Sequence, residues 1–179
     1  MRGAWVFNQP LGGWNVSRVT SMACMFEGAE SFHQPLERWN TSRVTTMARM
    51  FKDAVTFNQD IGGWDTRRVT DLRGMFWNAR VFDQPVGGWD VSRVTNMGYL
   101  FAGAWAFNRP VGRWNTSRVT SMESMFSDAR SFNQPVEIWD IARVTRMQGM
   151  FFQTRAFRQP LARWRARQEE GSVESERAS

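Results

Sequence analysis

Apolar residues recur along this chain with a period of 25, and that recurrence organises everything else in it. The segment Phe7-Asn8-Gln9-Pro10-Leu11 returns as Phe32-His33-Gln34-Pro35-Leu36, Phe57-Asn58-Gln59-Asp60-Ile61 and Phe82-Asp83-Gln84-Pro85-Val86. It returns twice more, as Phe107-Asn108-Arg109-Pro110-Val111 and Phe132-Asn133-Gln134-Pro135-Val136, with no insertion in any copy. Full repeats therefore occupy 7–31, 32–56, 57–81, 82–106, 107–131 and 132–156, and a partial seventh covers 157–165. Two apolar patterns follow one another inside each repeat. The first is the triple Leu11/Trp14/Val16, whose L-x-x-L-x-L spacing predicts a short parallel strand with apolar side chains inward. Equivalent strands are expected near 39–41, 64–66, 89–91, 114–116 and 139–141. The second is Met22, Met25, Phe26 and Ala29, at i, i+3, i+4 and i+7, which predicts helical turns near 22–28 with one buried face.

Polar residues bracket the second pattern. Before it stand Ser21, Thr46, Asp71, Asn96 and Ser121, each able to accept from exposed N–H groups as a helix N-cap does. Arg146 breaks that rule in the sixth repeat. Near its end stand Gly28, Asp53, Asn78, Gly103 and Asp128, residues that tolerate left-handed geometry. Two helical turns are marginal alone, so stacking between repeats must hold them. The expected architecture is an α/β repeat solenoid of six and a half units.

Composition sharpens this. With 179 residues the chain is long enough for one domain with a sizeable core. That domain is expected over 1–165, and the non-periodic polar stretch 166–179 is read as disordered. A single Cys excludes an internal disulfide framework and any Cys-rich zinc module. No apolar run approaches the ~20 residues of a membrane span, and Met1 to Trp5 leads into no signal-peptide core. Neither end carries an obvious polar cap, so a segment of a longer repeat array is expected. Formal charge is +6, and Lys52 is the only lysine beside 22 arginines.

The stretches Trp14 to Pro35 and Trp89 to Pro110 carry a further signal. Their pattern, Trp-Asp/Asn-Val/Thr-Ser-Arg-Val-Thr-x-Met-x-x-Met-Phe and then Phe-Asn-Gln-Pro, resembles the tandem repeat of BspA-type leucine-rich-repeat surface proteins over about 3–164. The resemblance implies a leucine-rich-repeat-like, right-handed solenoid with short parallel strands and short helices. It also implies cell-surface display or secretion, and protein–protein or adhesive contacts. One position departs from that pattern: the residue before Val-Thr, usually Asn in the family, is Arg in all six repeats.

Catalytic chemistry finds little support. His33 is the only His, Cys24 sits at a variable position, and Gly12-Gly13, Gly62-Gly63 and Gly87-Gly88 read as turns rather than phosphate loops. The chain is read as non-enzymatic, without cofactor or metal. Ligand contact is expected from polar files instead. One file is Asn15, Asn40, Asp65, Asp90, Asn115 and Asp140, too sparse in carboxylates for tight calcium binding. Each of its Asp residues stands three residues before an arginine, Arg68, Arg93 or Arg143, that can neutralise it. The second file is Arg18, Arg43, Arg68, Arg93, Arg118 and Arg143, which would suit a polyanion unless it pairs with Asp and Asn on the same coil. The Thr20, Thr45, Thr70, Thr95, Thr120 and Thr145 file is expected to satisfy turn backbone groups. Trp77, Tyr99 and Trp105 break the period and are candidate contact anchors. The expected partner is a protein or a glycan. Nucleic acid is disfavoured, because no reading helix is evident and the periodic aromatics belong to the core.

Overall fold

The structure, a computed structural model, describes residues 4–164. Residues one period apart lie above one another in a stack of coils. Rings of Phe51 and Phe76 are parallel to 5° with centroids 5.8 Å apart. Phe57 and Phe82 repeat this at 6.2 Å, and Trp39 and Trp64 at 6.4 Å. Inside a coil the two Phe files touch, with 3.8 Å between the rings of Phe51 and Phe57. Stacked aromatic pairs contribute about 0.5–1.5 kcal/mol each beyond their burial, so this column is the spine of the molecule. Met22, Met47, Leu72, Met97 and Met122 fill the space beside it, all at 0% exposure.

The expected α/β architecture is not what these residues form. Among the described residues only 162–164 are helical, and β pairing is confined to five isolated parallel bridges from Ser21–Thr46 to Ser121–Arg146. The strands expected near 14–16, 39–41, 64–66, 89–91, 114–116 and 139–141 are absent, as are the helices near 22–28 and its equivalents. Each coil is a succession of tight turns. In the third, N–H groups of Trp64, Val69, Met75, Ala79 and Phe82 donate to the carbonyls of Ile61, Thr66, Leu72, Phe76 and Ala79, three residues back.

Backbone geometry explains why the helix does not form. A helical N–H bonds four residues back, but Leu72, Gly74, Phe76 and Asn78 donate sideways to Asn96, Gly98, Leu100 and Ala102 of the next coil, at 2.7–3.0 Å. The chain can do this because φ is positive at two positions per coil, +59° at Gly74 and +58° at Asn78. The same pair recurs as Cys24/Gly28, Arg49/Asp53, Tyr99/Gly103, Ser124/Asp128 and Gly149/Gln153. A segment with two left-handed residues four positions apart cannot be a right-handed helix. The residues read as N-caps do accept from an N–H two residues on, Asp71 from Arg73 at 2.9 Å and Asn96 from Gly98 at 3.0 Å. They close turns and carry the bridges rather than start helices.

The strand positions fail for a related reason: turns 61–64 and 66–69 consume the N–H groups of Trp64 and Val69. Cross-coil bonding there passes to side chains. The indole N–H of Trp64 donates to the Leu36 carbonyl at 3.1 Å, and the Thr66 hydroxyl to the Asp90 carbonyl at 3.0 Å. Trp39, Trp89, Trp114 and Trp139 repeat the indole bond, each reaching 28 residues back. Gly87 lies where the chain passes close to its neighbour, since a Cβ there would collide with the Pro110 carbonyl. Among the described residues no buried side-chain N or O lacks a hydrogen-bond partner.

The ends differ from expectation. Trp14, read as an inward strand residue, is 55% exposed, whereas Trp164 in the partial seventh repeat is only 3% exposed, like the interior tryptophans. The polar tail expected over 166–179 lies outside the described residues.

Candidate functional site

The six arginines owe their alignment to the threonines two residues on. The Thr45 N–H and hydroxyl both donate to the Thr20 carbonyl, at 2.8 and 3.0 Å. Thr70, Thr95, Thr120 and Thr145 do the same to the threonine one coil earlier. This doubled ladder satisfies backbone carbonyls between coils. It also holds Arg18, Arg43, Arg68, Arg93, Arg118 and Arg143 in register, all on the exposed surface.

The Asn/Asp file lies three residues before the arginines. Asn15, Asn40 and Asn115 each accept the N–H of the serine two residues on at 3.1 Å and its hydroxyl at 2.7 Å. Asp90 and Asp140 accept the N–H of Ser92 and Ala142 at 2.9 Å. Asp65 takes the N–H of Arg67 and, at 2.7 Å, its guanidinium. The hydrogen bond from Arg67 holds the Asp65 carboxyl below the usual carboxylate range, and the bond from Ser92 does so for Asp90.

The partner of Asp65 is therefore Arg67, not Arg68, which acts on it only through space. None of the six file arginines comes within hydrogen-bond or ion-pair distance of another described residue. The close ion pairs lie elsewhere, at Lys52–Asp53, Arg109–Asp83 and Arg130–Asp128. Between the last two file members a cleft of about 590 Å³ opens, lined by Thr95, Ser117, Arg118, Thr120, Asp140 and Arg143. Among the described residues no cluster of three or more His, Cys, Asp or Glu side chains is placed to hold a metal ion.

The period-breaking aromatics sit in the 24–30 segment of the repeat, not in the 15–20 segment that carries the arginines. Trp77 stacks on Tyr99 at 4.9 Å with Lys52 5.1 Å from its ring, and the Tyr99 hydroxyl donates to Glu123. Trp105 lies between the guanidinium groups of Arg80 and Arg130, at 4.3 and 4.0 Å, and its indole N–H donates to Asp128. All three are half-buried and already engaged within the chain.

A further polar file escaped sequence reading. Oδ1 of Asn8, Asn58, Asp83, Asn108 and Asn133 accepts the N–H of residue i+25, at 2.9–3.0 Å. Gln84, Gln134 and Gln159 add side-chain donors to the same asparagines. The Phe-Asn-Gln-Pro signature is thus a clamp between coils, and His33 occupies one rung of it. The available signal was a short acceptor side chain recurring at an otherwise unexplained polar position.

Among the described residues no helix is long and apolar enough to cross a membrane. No curated protein and no solved structure matches the chain significantly. A family described as "Mycoplasma protein of unknown function, DUF285" matches residues 1–104 and again 84–175, two overlapping matches as expected of a tandem repeat. With nearly its whole length matched in these two passes, the chain belongs to that family of repeat proteins.

Proposed function

We propose that this chain is a non-enzymatic binding module that engages an anionic partner, a protein or a glycan, through its Asn/Asp–Arg–Thr face. One observation carries the reading: six exposed guanidinium groups recur once per coil with no counter-charge in contact among the described residues. Neighbouring like charges at coil spacing repel one another, and a stack that keeps them uncompensated gains when an anion arrives. The resemblance to BspA-type repeats supports an adhesive role at a cell surface or in a secreted protein. The commitment of Trp77, Tyr99 and Trp105 to contacts within the chain favours the arginine face over an aromatic one.

The test is retention on sulfated and carboxylated matrices and on an immobilised acidic protein, against a neutral matrix. The account expects salt-reversible retention that falls at least tenfold in the Arg68→Gln/Arg93→Gln/Arg118→Gln variant. These side chains are exposed, so thermal unfolding of the variant should match the parent within about 1 kcal/mol. Absence of retention, or retention unchanged by the triple substitution, would reduce the module to a spacer or to a binder using another surface.

A further inference from the structure

We infer that the arginine face takes a linear acidic polysaccharide lying along the stack, one anionic group seated between arginines of adjacent coils. The inference rests on the anion-binding reading and adds ligand class, direction and register to it. The direction follows from the repeat. Equivalent rings in successive coils are 5.4–6.4 Å apart, so anionic sites recur along the stack at a similar step. A chain crossing the stack would meet one arginine; a chain running along it meets up to six.

The cleft between Arg118 and Arg143 shows what one subsite contains. Two guanidinium groups border it, and a fork of N–H donors suits the oxygens of a sulfate or carboxylate. Its remaining lining is not basic: Thr95, Ser117, Thr120 and the Asp140 carboxylate. Along the face, carboxylates also occur at Asp65 and Asp90, with amides at Asn15, Asn40 and Asn115. The arginine file is therefore flanked, coil by coil, by a file of amides and carboxylates. A nucleic acid, with a phosphate at every nucleotide, would meet repulsion at Asp90 and Asp140. It would also lack the aromatic platforms on which unpaired bases stack, since Trp89, Trp114 and Trp139 are 3–4% exposed. An acidic peptide offers no dense array of hydroxyl donors to those acceptors. An acidic polysaccharide supplies both groups: anions for the arginines, and hydroxyls for the carboxylates of Asp65 and Asp90, which keep acceptor capacity beyond the turn bond.

The experiment compares fluorescence anisotropy of three labelled probes at one ionic strength: size-fractionated heparin oligosaccharides, oligothymidylate and polyglutamate, matched in charge. The expected result is binding of the heparin series at least tenfold tighter than the other two. Affinity should rise with oligosaccharide length until the chain spans the six arginines, five steps of the 5.4–6.4 Å that separate equivalent rings. Arg118→Lys, which keeps the charge and loses the fork, should weaken heparin binding several-fold. Asp90→Asn, which keeps the turn acceptor but removes the carboxylate, should strengthen oligothymidylate several-fold and heparin less, because the glycan loses a hydroxyl acceptor there. Equal or tighter binding of oligothymidylate or polyglutamate, or affinity independent of glycan length, overturns the polysaccharide assignment while leaving an anion-binding face intact. If no probe binds, both readings fall together.

Discussion

Asp65, Asp90 and Asp140 share one structural position with Asn15, Asn40 and Asn115, and all six use Oδ1 to close the same turn. The turn needs an acceptor, not a charge. Where the acceptor is ionised, the charge adds a pH dependence that the asparagine coils lack. Hydrogen bonds from Arg67 and Ser92 lower the Asp65 and Asp90 carboxyls. At Asp128 burial pushes the carboxyl up, but the bonds from Arg130 and Trp105 outweigh it and the net direction is also down. A carboxyl lowered in the folded state stabilises fully above its unfolded value, and that stabilisation disappears as pH falls through the folded one. Thermal midpoints should thus hold steady from pH 7 to 5 and drop below about pH 4, the unperturbed Asp range. Replacing Asp65, Asp90 and Asp128 together by Asn should flatten that drop. An acid profile unchanged in the triple variant would mean that these bonds do not persist in solution.

The coil is an element without a regular name: tight turns in succession, tied by sideways bonds to its neighbour. Much of its interior was legible in the sequence. In the interior coils the Phe, Trp and Met files are buried where the period put them, and Gly28, Asp53, Asn78, Gly103 and Asp128 do take positive φ. Its secondary structure was not legible. Successive turns with two left-handed residues four positions apart bury Met22, Phe26 and Ala29 at the same spacing as a helix face. The second left-handed file is Cys24, Arg49, Gly74, Tyr99, Ser124 and Gly149. It contains only two glycines, so composition hid it. The arginine face was half legible: its regularity was plain, while its lack of partners depended on Arg67 lying closer to Asp65 than Arg68 does.

Tryptophan provides the test at this scale. Trp89 is 4% exposed, stacks near Phe76 and donates its indole N–H to Ile61. Trp89→Ala should cost roughly 3–5 kcal/mol, the range for truncating a buried aromatic. Trp14, more than half exposed, should cost no more than about 1 kcal/mol. Denaturant unfolding distinguishes the two, and equal costs would contradict the stacked arrangement at the first coil.

Across the whole molecule, contacts run between each coil and its neighbours. Three polar ladders clamp the stack from the side: the threonines, the asparagines with their glutamines, and the indole N–H groups. Stability in such a stack is close to a sum of nearest-neighbour terms. That division leaves the six arginine side chains of the face outside the clamps. Its guanidinium groups make no hydrogen bond or ion pair to another described residue, yet the threonine ladder beneath them keeps their spacing constant. Among the described residues, this is a periodic line of positive charge with no counter-charge in contact.

The most direct measurement is the salt dependence of heparin affinity, for the parent chain and for Arg68→Gln/Arg93→Gln/Arg118→Gln. Each anionic contact releases condensed counterions, so the slope of log K against log salt counts contacts, at about 0.7–0.9 per contact for nucleic-acid phosphates. The account predicts a steep slope for the parent and one shallower by about two to three in the variant, with thermal stability retained. Parallel slopes, or a parent affinity that salt does not change, would contradict it.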